Sequence, residues 1–347
     1  MHPLRDKDVI GDGKKQELKQ LLTRLLYKRK EHQMAVDIGT VFTSVLTLIA
    51  VMLIGVAARI TGVINRDTTK RLSVILVNVV MPMMIISSMQ IEYTPELFKK
   101  ALVIIAASIL IHAVVIVISL FAYRKTPLHE RKIYSTATVF GNCGYMGFPV
   151  LNAIFGDVGL FYGSIYVFVF NLLLFSYGVF LFTRGTDQKM SIKKVFLNPG
   201  TIASVIGILL FLLKIKLPSF IGGAIEMMGD MTFPLSMLII GSLACEKGYK
   251  KLFSAMPVYF YAVLKLLLLP VLTLLGCLLF KVDSDMMLLC VTMTAVPGAT
   301  ACASFADMYG CDSKLSAKLV GFSTVLSALT IPLMLMLASW IYKIAGL

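Results

Sequence analysis

The chain has 347 residues, of which 58% are hydrophobic and 15% are charged, and its mean hydropathy is +0.84. Soluble domains average about 45–50% apolar and about 25% charged residues, so a soluble protein is excluded and an integral membrane protein is indicated. The formal net charge of +14 is not gathered in a basic soluble domain. We therefore interpret the excess of basic residues as a determinant of membrane topology, and we expect no nucleic-acid partner.

The first 38 residues form a basic extension that carries nine Lys and Arg residues. Its stretch ELKQLLTRLLYKRK places several leucines on one helical face, which is typical of an amphipathic helix on a membrane surface. Two other interpretations stay open: translation beginning at Met34, or an addition peculiar to one lineage.

Ten apolar runs follow the extension, each about as long as a membrane-crossing helix. Five precede the polar loop TRGTDQKMSIKK and five follow it. The sequence thus predicts an all-α membrane protein with a first five-helix repeat at 39–183, a linker at 184–198 and a second repeat at 199–347. The runs are Gly39 to Ile60, Leu72 to Met89, Ala101 to Tyr123, Ile133 to Phe155, Leu160 to Phe182, Pro199 to Leu213, Ile221 to Cys245, Leu252 to Phe280, Met286 to Ala306 and Ser316 to Tyr342.

Lys and Arg are unevenly divided between alternate loops. Sixteen lie in the loops on the side of the linker and six in the loops on the other side. Because basic residues concentrate in cytoplasmic loops, the linker is predicted to be cytoplasmic, with the start of the first helix and the C-terminus outside. The expected location is a bacterial cytoplasmic membrane.

The two halves resemble each other at a few matched positions. Asn78 lies four residues before a proline in NVVMP, and Asp230 lies four residues before a proline in DMTFP, 152 residues later. At nearly the same spacing, His112 corresponds to Lys265. Because each half has an odd number of spans, the second repeat would be inverted relative to the first. Inverted repeats are typical of secondary transporters.

The stretch VFGNCGYMGFPV interrupts the fourth run with three glycines, an asparagine and a proline. The stretch AVPGA interrupts the ninth run at the matching place. Broken helices within a membrane are tolerated where they line a cavity or contact protein. Two half-helix N-termini aimed at one point would form an anion site, with the Asn142 amide as a donor. Close helix packing is the competing explanation for the glycines alone.

These motifs resemble a known family. GNCGYMGFPVL, AVPGATACASFA and MTFPLSMLIIGSLA are similar to segments of the auxin efflux carrier family of bacterial permeases, which includes malate and malonate carriers and is related to the plant PIN-FORMED carriers. The resemblance implies crossed helices 4 and 9 and elevator-type alternating access, as in bile-acid symporters and sodium/proton antiporters. It also implies that Asn142 and the backbone near Gly141 and Pro297 contact a carboxylate. The candidate substrate-binding residues are Gly141, Asn142, Cys143, Gly144, Pro297, Gly298 and Thr300.

Ionisable and polar residues at membrane depth are candidates for coupling or gating. Glu226 and Asp230 lie one helical turn apart, hence on one face. An ion pair between Asp230 and Lys265 would lower the cost of burying both, with a purely structural pair as the alternative. His112 is a candidate proton acceptor, although a lone histidine on an apolar helix is more often a packed residue. The candidates are Asp230, Lys265, Asn78, Glu226 and His112.

The sequence therefore predicts a secondary transporter of small organic anions, with the lipid bilayer and the anion as partners. The six cysteines and four histidines show no metal-ligand spacing, so no metal and no cofactor are expected. Coupling to H+ or Na+, the identity of the acid and a homodimer stay open. The alternatives are a cation/proton antiporter that uses Asp230, a carboxylate sensor, and an intramembrane enzyme, which the lack of catalytic spacing disfavours.

Overall fold

The computed structural model describes residues 38–184, 196–245 and 256–345, and these fold into helices joined by short connections. The amphipathic helix expected in the extension and most of the linker lie outside the described residues. The helices are α1 Ile38–Ile60, α2 Arg66–Ser88, α3 Pro95–Ala122, α4 Leu128–Val139, α5 Cys143–Phe155, α6 Asp157–Thr183, α7 Pro199–Leu212, α8 Ser219–Asp230, α9 Thr232–Ala244, α10 Met256–Leu279, α11 Ser284–Ala295, α12 Ala301–Met308 and α13 Ser313–Ala345.

Six helical stretches are long and apolar enough to cross a membrane: α2, α3, α6, the stretch formed by α8 and α9, α10 and α13. Part of α1 and all of α5, α7 and α11 form shorter apolar helices. Three predicted runs are each divided between two helices, namely α4 and α5, α8 and α9, and α11 and α12. The prediction of an all-α membrane protein is confirmed.

Prolines explain four irregularities within these helices. A proline lacks an N–H group, and its ring collides with the carbonyl four residues earlier. Pro82, Pro149 and Pro270 each follow a five-residue π-helical turn that contains that earlier carbonyl. Pro234 follows the interruption at Met231 that separates α8 from α9. The helix is therefore widened into a π-helical turn, or interrupted, just before each of these prolines.

Two helix pairs pack through glycines. A Cβ on Gly55 of α1 would lie 2.5 Å from the Leu238 carbonyl oxygen of α9, and a Cβ on Gly241 of α9 would strike the backbone of α1. On α7, a Cβ on Gly207 would lie 2.7 Å from Cγ of Met89, just beyond the end of α2. Small residues allow membrane helices to approach closely. We name α1, α2, α7, α8 and α9 the scaffold helices.

The ends of α4 and α11 lie in the most deeply buried part of the described chain. Every residue from Lys132 to Val139 in α4 is buried, and so is every residue from Met286 to Ala295 in α11. Both helices stop inside this core. The backbone groups that their ends expose are therefore shielded from lipid and must find partners within the protein.

Candidate functional site

The two helix breaks meet in the core. After α4 ends, Gly141 forms an isolated antiparallel bridge with Gly298, which follows α11. The Asn142 N–H donates to the Pro297 carbonyl at 2.7 Å, and the Ala299 N–H donates to the Phe140 carbonyl at 2.9 Å. Each break thus satisfies backbone groups of the other, which is how irregular backbone persists without water. We name this meeting point the crossing.

Glycines lie on both sides of the crossing, where there is little room for a side chain. A Cβ on Gly141 would lie 2.7 Å from Cγ2 of Val296 and 3.2 Å from Nζ of Lys265. A Cβ on Gly298 would strike the Tyr261 hydroxyl and lie 3.3 Å from the Ala137 carbonyl oxygen. The glycines therefore permit a close approach between the two breaks. Gly144, one turn further along, lies against the side chain of Met81 from α2.

Asn142 has a donor at the crossing that no group of the described residues satisfies. Its Oδ1 atom accepts from the Tyr145 N–H at 3.4 Å and so caps α5. The side chain is only 4% exposed, and its buried Nδ2 has no hydrogen-bond partner within the described residues. An unpaired buried amide is costly, and such groups are rare in native proteins. The amide is thus placed to donate to a ligand.

Lys265 places a positive charge beside the same backbone. It lies in the π-helical turn Leu264–Leu268 of α10 and is only 3% exposed. Its Nζ lies near the thiols of Cys143 and Cys302 and near the ring of His112. No carboxylate of the described residues lies within 4 Å of it. The crossing therefore carries a basic amine and an amide donor.

His112 is a packed residue of α3. Its Nδ1 lies 2.7 Å from the Ser108 carbonyl oxygen, which can only accept, so Nδ1 carries the hydrogen. Its ring contacts the rings of Phe140, Tyr166 and Phe170, with centroids 5.5–6.1 Å apart. His112 therefore packs against Phe140, the residue that precedes Gly141.

The hypothesis of an ion pair between Asp230 and Lys265 is wrong. Asp230 and Glu226 are both exposed on α8, and neither forms an ion pair with a described residue. The buried residue of α8 is Gly229, which packs against Met84 and turns the two acids away from the core. Asn78 is also exposed and donates to the Val74 carbonyl of its own helix at 2.8 Å. These three candidates lie away from the crossing.

Several residues at the crossing were missed by sequence reasoning. The Tyr261 hydroxyl donates to Oγ of Ser323 at 3.3 Å, and this Oγ accepts from the Gly298 N–H at 3.2 Å. The Tyr145 hydroxyl lies near Ser73 of α2 and near Thr300, which therefore borders the crossing. Tyr261 lies one helical turn before Lys265, so the two residues share a helical face. This spacing is the signal in the sequence from which Tyr261 could have been identified.

The long apolar helices and the shared helix break define the class as an integral membrane transporter. A family profile described as "Membrane transport protein" matches residues 40–191 and 185–335. The chain belongs to this family, which includes the auxin efflux carriers. A comparison with curated proteins gave no match. Within the described part of the chain, no group of three His, Cys, Asp or Glu residues is placed to hold a metal ion.

Proposed function

We propose that this protein is a secondary active transporter of small organic anions, and that the carboxylate of the substrate binds at the crossing. The main observation that supports the proposal is the buried Nδ2 of Asn142 at the start of α5, which has no hydrogen-bond partner among the described residues. An oxygen acceptor from a carboxylate would complete its hydrogen bonding. The substrate class is a mono- or dicarboxylate such as malate, malonate or an auxin-like acid.

Two helix N-termini support an anion rather than a cation. Both α5 and α12 begin beside the crossing, on the C-terminal side of Gly141 and of Gly298. The N-terminus of a helix carries a partial positive charge and free N–H groups, so it favours an anionic ligand. The basic residue Lys265 adds to this potential. A cation/proton antiporter is not favoured, because Asp230 is exposed and α8 turns it away from the core.

We propose an elevator-type mechanism in which the crossing moves past the scaffold helices. The glycine contacts of α1 with α9 and of α7 with the end of α2 support a tightly packed static unit. Gly144 and Tyr145 lie at the boundary, against Met81 and Ser73 of α2. The driving ion in this proposal is H+ or Na+, and the chain has no Walker A motif for ATP.

Counterflow in proteoliposomes tests the proposal. The purified protein is assayed with labelled malate, malonate, succinate, lactate and an indole acid, beside Asn142→Ala and Asn198→Ala. Asn198 is the matched control, because it is also a buried asparagine that caps a helix, α7, through an N–H three residues later. We expect exchange of at least one acid by the wild type and Asn198→Ala, and loss in Asn142→Ala. No exchange of any acid by folded wild-type protein would refute the proposal.

A further inference from the structure

We propose that Lys265 is the cation that binds the carboxylate of the substrate, and that it does so together with the Asn142 amide. This inference rests on the proposed function and adds the residue that selects for charge. Nζ of Lys265 lies 3.2 Å from the position of a Cβ on Gly141, the residue bonded to Asn142. One carboxylate has two oxygens, which would accept from the amide and from the ammonium group.

In the part of the chain that the structure describes, no acid forms an ion pair with Lys265. Its π-helical turn packs against α11 and α13. The groups beside Lys265 include Gly141 of the first break, Cys143 at the start of α5, Cys302 at the start of α12, and His112 of α3. None of these is a carboxylate, and no described acid lies within 4 Å of Nζ. A buried charge is retained where a counter-charge or hydrogen-bond acceptor meets it. Here the substrate would supply both.

The other buried lysine of the described chain shows the contrast. Lys132 is 7% exposed, and its Nζ donates to the Phe182 carbonyl at 3.1 Å, in the last turn of α6. The C-terminal end of a helix carries partial negative charge and is a favourable place for a cation. Lys265 instead faces the first turns of α5 and α12, which carry partial positive charge. Lys132 is thus stabilised by a helix end of the protein itself, whereas in this proposal Lys265 is stabilised by the anionic substrate.

The more exposed Lys100 confirms how an acid pairs with lysine when the fold provides one. Its Nζ lies 3.2 Å from Asp285 and 3.4 Å from Asp283, at the start of α11. No acid among the described residues forms such an ion pair with Lys265. The consequence for selectivity is that a substrate must carry a carboxylate at the crossing, and that its uncharged amide analogue is discriminated against.

Ligand binding to the purified full-length protein tests this assignment. The probes are the acid that gives counterflow and its primary amide, which has nearly the same shape but no charge. We expect Lys265→Met to weaken binding of the acid by about 10-fold to 100-fold, as for loss of a charge-assisted hydrogen bond. Binding of the amide should change little, so the preference for the acid is lost. Lys132→Met is the matched control and should keep the wild-type preference.

The amide comparison separates a binding role from a structural one, because a packing defect would weaken both probes equally. Lys265→Gln provides a second neutral variant if Lys265→Met does not fold, and Lys265→Arg should recover part of the preference. A folded neutral variant with the wild-type preference for acid over amide would overturn the assignment to Lys265. In that case, loss of counterflow in Asn142→Ala would still support the proposed function. Wild-type protein that binds no carboxylate would overturn both.

Discussion

Gly55 and Gly207 occupy equivalent places in two different helix pairs. They lie 152 residues apart, the same spacing that relates Asn78 to Asp230, and each makes a close contact between the first helix of one half and the second span of the other half. Gly55 meets Leu238, and Gly207 meets Met89. This reciprocal packing supports the proposal that the two halves are related repeats.

The first prediction concerns this packing. Gly241→Ala should lower the apparent Tm of the purified protein, because the new methyl group would strike the backbone of Met52 and Val56. Overpacking of this kind costs about 1–3 kcal/mol. Gly276→Ala is the control, since nothing lies within 4 Å of a Cβ there and alanine favours a helix by up to about 1 kcal/mol. Equal Tm values for the two variants would contradict the close packing of α1 on α9.

The second prediction concerns the crossing itself. Gly298→Ala should lower the transport rate severely, because its methyl group would strike the Tyr261 hydroxyl. Tyr261→Phe removes that hydroxyl and should cost less alone. The double variant should transport better than the product of the two single effects predicts, since the two residues share one contact. Additive effects in the counterflow assay would show that this contact does not hold the crossing.

The third prediction concerns Asp230. Asp230→Asn should leave carboxylate binding within about 2-fold of wild type, because surface substitutions away from a site change free energies by about 0.5 kcal/mol or less. In a double-mutant cycle with Lys265→Gln, the two effects on binding should add, since no ion pair joins these residues. Strong coupling in that cycle would restore the ion pair that the structure excludes.

The fourth prediction concerns orientation. The excess of Lys and Arg in alternate loops predicts that the linker at 184–198 is cytoplasmic. In a background with Cys245 and Cys311 replaced by serine, an impermeant maleimide applied to intact cells should label Lys281→Cys but not Ser191→Cys. Broken cells should show labelling of both. The reverse pattern in intact cells would invert the predicted topology.

The sequence revealed the crossing because its residues violate the rules for a membrane helix. Glycine, asparagine and proline within an apolar run have no place in a continuous span, so Asn142 and Pro297 stood out. Lys265 stood out for the same reason, as a charge at membrane depth. What these residues contact depends on how the helices pack, which local composition does not determine.

The misassigned partner of Lys265 illustrates that limit. The spacing of Glu226 and Asp230 predicts a shared face, and the structure places both on one exposed side of α8. The direction of that face is set by Gly229, which packs against Met84 in another helix. Tyr261 and Ser323 were missed because tyrosine and serine are ordinary residues in membrane helices, and only the tertiary contact with Gly298 distinguishes them.

The most direct test of the central claim is a structure of the protein with a transported acid bound. We predict that the carboxylate lies at the crossing, with one oxygen within about 3 Å of Nδ2 of Asn142 and the other within about 3 Å of Nζ of Lys265. An acid bound elsewhere, with the Asn142 amide still unpaired, would contradict the assignment of the crossing as the transport site.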